Sequence, residues 1–113
     1  MHRGEIWLIN LDPTVGAEIQ KTRPAVIVND DAVGVLSLKV IVPITEWKDR
    51  YAVAPWMVLL DPDSENGLDK SSAADAFQAR SLSQTRFVQQ IGKLSIATMQ
   101  EISKALAVVL AIE

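Results

Sequence analysis

Six short apolar runs, each closed by a turn signal, dominate the chain as far as Lys93 and decide what it can fold into. They are Glu5–Leu11, Ala25–Asn29, Leu38–Thr45, Trp56–Leu60, Ala73–Ser81 and Val88–Lys93. Rich in β-branched and aromatic residues, they read as strands, and Asp12-Pro13, Asn29-Asp30-Asp31, Asp61-Pro62 and Asn66-Gly67 read as the turns between them. Regular spacing of this kind predicts a small, closed or strongly coiled antiparallel barrel.

Some runs carry more detail. In Glu5–Leu11 both Ile6/Leu8 and Trp7/Ile9/Leu11 are apolar, so this strand is expected to be covered on both faces. Pro43 interrupts the third run and predicts an edge or bulge there, with Thr45 leaving the sheet. Across Ala73–Ser81, alternation places Asp75, Phe77 and Ala79 on one face and Gln78 and Arg80 on the other. Ser83 can cap a short helical turn over Gln84–Phe87. After Ser95, a plausible cap, the period changes: Met99, Ile102, Leu106, Val109 and Leu110 form one helical stripe. The expected class is mostly β (α+β), one domain over residues 1–113 with a single C-terminal helix.

Composition narrows the chemistry. The chain has no cysteine and one histidine, His2, so neither a thiol nucleophile nor a His/Cys zinc site is expected, and a reducing cytoplasm fits. Neither a signal-peptide pattern nor an apolar run long enough to span a bilayer is present, so no membrane partner is expected. A net charge of −3 argues weakly against nucleic acid, but Asp61, Asp63, Glu65 and Asp69 share one loop, and a local basic groove elsewhere remains open.

One polar stretch stands out, Gly16-Ala17-Glu18-Ile19-Gln20-Lys21-Thr22-Arg23-Pro24. The proline holds Arg23 extended at the mouth of a strand, and the guanidinium's planar fork suits a phosphate. The plainer alternative is a surface arginine paired with Glu18 or an aspartate. Thr45 is either a simple β-former or a hydroxyl donor to a phosphate oxygen at the same strand-end level. Trp47, Lys48, Arg50 and Tyr51 follow it, an aromatic and basic cluster of the kind that stacks bases and tracks phosphates, unless Trp47 merely packs on the rim. Gln78 and Arg80 are a further polar pair, or a solvated sheet face. His2 sits at a terminus, a poor place for catalysis.

Gly4-Glu5-Ile6-Trp7, Leu11-Asp12-Pro13, Gly16-Ala17-Glu18, Lys21-Thr22-Arg23-Pro24-Ala25-Val26, Val42-Pro43-Ile44-Thr45 and Gln78-Ala79-Arg80 occur in that order. In these segments the chain resembles the MazF/PemK family of toxin endoribonucleases, collinearly from residue 3 to about 110. The resemblance implies a small SH3-like/CcdB-like β-barrel with a C-terminal α-helix, a homodimer, cleavage of single-stranded RNA without a metal or other cofactor, and neutralisation by a cognate antitoxin. It places the family's catalytic arginine on Arg23 and its threonine on Thr45, and its Gln-x-Arg segment on Gln78 and Arg80. Glu18 is the loop carboxylate nearest to serve as proton acceptor. Lys21, Thr22, Trp47, Lys48, Arg50, Gln78 and Arg80 are the expected RNA contacts. Two departures remove acid/base groups found in some relatives: Phe77 stands where they carry a carboxylate, and Ala17 where some carry a histidine. The alternatives are a non-enzymatic poison of DNA gyrase, as in the related CcdB group, and a weakened interaction domain of the same fold.

Overall fold

A computed structural model describes residues 1–34 and 37–113. Its strands are β1 (Glu5–Asn10), β2 (Thr22–Ile27), β3 (Leu38–Glu46), β4 (Met57–Leu60), β5 (Ser72–Asp75), β6 (Arg80–Ser83) and β7 (Phe87–Lys93). One helix, α1 (Ile96–Leu110), closes the chain. Every pairing is antiparallel, in the order β4-β5-β3-β2-β1-β7, with β6 also on β3. The barrel-like sheet thus stays open between β4 and β7 among the described residues.

Both faces of this sheet are apolar, which is why β1 lacks clean alternation. Ile6, Val26, Val42 and Ile44 meet Met99, Ile102 and Ala105 of α1 on one side. On the other, Ile9, Leu11, Ala25, Ile27, Ile41 and Leu82 form a second core, with Trp7, Phe87 and Ile19 packed against it. Ile19 belongs to the polar loop, so one apolar side chain tacks that loop onto the barrel. The Ser95 hydroxyl accepts a hydrogen bond from the Thr98 amide at 3.1 Å and starts α1 as the sequence indicates. The expected stripe holds through Val109, but Leu110 is exposed. It lies only about 40° around the helix from Leu106, so its exposure comes from its place as the last residue of the helix and not from its face.

Two expectations fail at Pro43. Thr45 does not leave the sheet but pairs with Ala73, and Pro43 is buried inside a central strand. The proline is tolerated because β3 changes partners beside it: β6 pairs with Leu38–Ile41 and β5 with Ile44–Glu46. Because Val28 N donates to Val40 O, alternation of the antiparallel ladder turns Pro43's nitrogen away from β2 and toward that changeover. No donor is missed there. For the same reason the predicted strand Ala73–Ser81 is broken into β5, a 3-10 turn at Ala76–Gln78, and β6. The Asp75 carboxylate caps the turn by accepting from the Phe77 amide at 3.1 Å. Gln78 and Arg80 therefore share no strand face. The Ser83-capped turn does form, over Gln84–Arg86.

Candidate RNA-cleavage site

The β2–β3 ladder ends at Ala25 opposite Pro43. Its next hydrogen-bonding pair would be Pro24 with Ile44, and Pro24 has no N–H to give. Past that point β2 continues with β1, through Ile9 opposite Arg23, and β3 continues with β5, through Thr45 opposite Ala73. The two strands fork. Carried one step further, the register would set Arg23 directly across from Thr45, and both side chains lie on the face shared by Ala25 and Pro43. A pocket of about 260 Å³ fills the fork, lined by Arg23, Pro24, Ile44, Thr45, Glu46, Lys48, Lys70 and Ser72.

Arg23 pairs with no carboxylate among the described residues; its Nε donates to Gln20 O at 3.3 Å. The paired-arginine alternative therefore has no partner here. Of the other charges in the pocket, Glu46 is engaged by Lys70 at 3.4 Å, which leaves Arg23 and Lys48 to give the fork a positive bias in an acidic chain. Thr45 is half-buried beside them. Two cations, a hydroxyl and an open mouth have the chemistry that suits a phosphodiester.

A second pocket, about 450 Å³, is lined by Ala17, Glu18, Ile19, Pro43, Phe77, Gln78, Ala79 and Arg80. It adjoins the first along β3, because Pro43 and Thr45 are two residues apart on one face. Glu18, Gln78 and Arg80 are gathered here rather than at the fork. Glu18 accepts from the Val15 amide through Oε1 at 2.6 Å. The Gln78 side chain is fully employed: Oε1 accepts from Ile19 N at 2.7 Å, and Nε2 donates to Asp75 Oδ2 at 3.2 Å and Ala17 O at 3.4 Å. It holds the loop in place. At the other end Lys21 N donates to Asp12 Oδ1 at 3.0 Å, and Arg86 donates to the carbonyls of Asn10 and Asp12. The loop that carries Arg23 is thus pinned on both sides, so its guanidinium is offered from a fixed base.

The remaining expected contacts are dispersed. Lys21, with φ of 68°, and Thr22, opposite Asn10, line neither pocket. Trp47 meets Tyr51 edge-on at 5.8 Å, and the Arg50 guanidinium lies 5.5 Å from the Tyr51 ring. This cluster continues the surface beyond Lys48. His2 faces Asp31 at 3.5 Å and lines neither pocket.

Asp75 was not singled out by the sequence. It is 6% exposed, and burial pushes its carboxyl above the ordinary value despite the opposing donors from Phe77 and Gln78. Its signal was an acid in the apolar run Ala73-Ala74-Asp75-Ala76-Phe77. A carboxyl with a raised folded pKa binds its proton more tightly folded than unfolded, so it opposes stability above that pKa and ceases to do so as pH falls toward about 4. Acidification from neutrality should therefore stabilise the wild type relative to Asp75→Asn. The denaturant midpoints of the two proteins, measured from pH 7 to 4, should diverge in that direction.

Comparison with known proteins agrees with the fold and with the family resemblance. The family described as the PemK-like, MazF-like toxin of type II toxin–antitoxin system matches residues 2–110. Endoribonuclease MazF9 of Mycobacterium tuberculosis is 35% identical over 112 residues, covering 94% of this chain and 92% of that one. Endoribonuclease PemK of Escherichia coli is 48% identical over 62 residues, 54% of this chain and 47% of its own. Among solved structures, MazF from Deinococcus radiodurans superposes with a TM-score of 0.81 at 26% identity, covering 98% of this chain and 96% of that one. A mycobacterial endoribonuclease solved with its cognate antitoxin has a TM-score of 0.78 at 23% identity, covering 100% and 97%. With a matched region that takes in β1 to α1, this chain belongs to the PemK-like, MazF-like family of type II toxin–antitoxin toxins.

Proposed function

We propose that this chain is the toxin of a toxin–antitoxin pair, an endoribonuclease that cuts single-stranded messenger RNA without a metal cofactor. The observation that carries the reading is the guanidinium of Arg23, paired with no carboxylate among the described residues, lining one pocket with Thr45 at a fork in the sheet. RNA brings its own nucleophile, so the protein need only hold the phosphate in line and stabilise its added charge. The 2′-oxygen attacks phosphorus, the bond to the 5′-oxygen breaks, and the products are a 2′,3′-cyclic phosphate and a 5′-hydroxyl. Arg23 acts by charge and hydrogen bonding on the non-bridging oxygens. Thr45 adds one donor. Glu18, exposed in the adjoining pocket with Oε2 unengaged, accepts the 2′-hydroxyl proton, and solvent returns one to the leaving oxygen. Lys48, with Arg50 and Trp47 beyond it, extends the track for the strand.

As a family toxin the protein works as a homodimer in the cytoplasm and is held in check by a cognate antitoxin. The relatives carry endoribonuclease in their names, and one solved neighbour is bound to its antitoxin. Nothing in the fork favours a gyrase poison over this reading. The test is incubation of the purified protein with single-stranded RNA in excess chelator. Expected are discrete cuts whose 5′ fragments carry a cyclic phosphate. Intact RNA at every protein concentration, or 3′-hydroxyl ends, would overturn the reading.

A further inference from the structure

The second pocket has no task in the phosphate chemistry just described beyond lending Glu18. Resting on that reading, we propose that this pocket seats one unpaired nucleobase next to the scissile phosphate, stacked on Phe77 and read by Arg80, and that it selects keto bases, guanine or uracil, over amino bases.

Position comes first. Pro43 lines the second pocket and Thr45 the first. Two residues on one strand face are about 7 Å apart, so a strand whose phosphate meets Thr45 carries a neighbouring base to Pro43. The lining is that of a base receptor: Ala17, Ile19, Pro43 and Ala79 give an apolar floor, with few polar groups around it. Phe77 stands at the rim with 70% of its surface exposed, and Trp56 meets it edge-on at 6.2 Å. An aromatic ring left in water beside a cleft is a platform for an unstacked base. The carboxylate missing at this position is thus a change of use.

The polar groups decide which base. Gln78, expected from the sequence to touch RNA, has both ends of its amide committed to Ile19, Ala17 and Asp75. Arg80 spends one long contact, 3.4 Å, on Leu11 O and pairs with no carboxylate among the described residues. A guanidinium has five donors and no acceptor. With Glu18 Oε2 taken up by the 2′-hydroxyl in the proposed chemistry, the pocket's spare hydrogen-bonding capacity is donating. Guanine O6 and uracil O4 are acceptors, whereas adenine and cytosine present an amino donor at the equivalent position, which Arg80 cannot satisfy.

Binding can be read without cleavage. Uncleavable 2′-deoxycytidine oligonucleotides carrying one central guanine, uracil or adenine would be titrated against the protein by fluorescence anisotropy. Guanine and uracil should bind about ten-fold more tightly than adenine or an unbroken cytidine run, the discrimination a hydrogen bond to a charged donor supports. Arg80→Lys, which keeps the charge but loses the fork, should lose the preference among the bases. Phe77→Ala should weaken all four, and Phe77→Trp should restore them. Equal affinity for all four in the wild type, a preference for adenine or cytosine, or a keto preference that survives in Arg80→Lys would each overturn the proposal. Keto-selective binding without cleavage would leave this inference standing and remove the nuclease reading.

Discussion

Arg23→Ala is expected to slow RNA cleavage by about 10²–10³-fold while leaving the fold intact. The size follows from deleting one preorganised donor to an oxyanion in a site with few others. Thr45 and Lys48 remain, so some residual activity is expected. Stability should change little, because Arg23 is exposed and its one intramolecular bond, to Gln20 O, is long. Single-turnover cleavage at saturating RNA, with thermal melting of both proteins, separates the two effects. Arg23→Lys gives the sharper reading: it keeps the charge, loses the planar fork, and should fall between wild type and alanine. An alanine variant within about three-fold of wild type would move the chemistry away from the fork, since the expected loss is so much larger.

The largest stability effect should come from a glycine that lines neither pocket. The Asp61–Lys70 loop folds around buried Asn66, whose Nδ2 donates to Asp61 O at 2.8 Å and whose Oδ1 accepts from Leu68 N at 3.0 Å. It lies backbone against backbone on β7, with Lys93 N donating to Glu65 O at 3.0 Å. A Cβ added to Gly67 would stand 2.1 Å from Ile91 O, and one on Gly92 would stand 2.4 Å from Asn66 C. Gly67 also has φ of 69°, so Gly67→Ala meets backbone strain and a collision with main chain that no rotamer can relieve. The expected loss is at least about 3 kcal/mol, read from the denaturant midpoint. Gly16→Ala is the control. Gly16 has φ of 59° but no atom within 4 Å of the added carbon, so it should lose only about 1–2 kcal/mol. Equal losses at the two positions would refute the contact.

Much of this was legible in the chain, and the failures share a cause. Strand runs, the Ser83 and Ser95 caps and the helical stripe are local properties, read from propensity and period within a dozen residues. Arg23 stands out in the sequence because a proline follows it and Thr45 because it lies near a strand end, and the two line one pocket. The course of β3 was misread, since a central strand tolerates Pro43 only by changing partners beside it, and partner identity is not local. The split of Ala73–Ser81 followed from the same changeover, and it misplaced Gln78. The function of Gln78 was hidden for a related reason: its hydrogen bonds run to residues 59 to 61 positions away, as well as to Asp75. Asp75 offered a cue, an acid among alanines, but its burial is a product of the tertiary structure.

The fork between β2 and β3 opens where one N–H group is absent, that of Pro24. A cleft shaped by side chains can be filled by one substitution or shut by one rotamer. This one persists through rearrangement of the side chains around it, because the break in the ladder lies in the backbone of Pro24. The permanence divides the work of adaptation. Side chains at the rim can drift from one descendant to the next, and none of that drift has to solve again how the strands are kept apart.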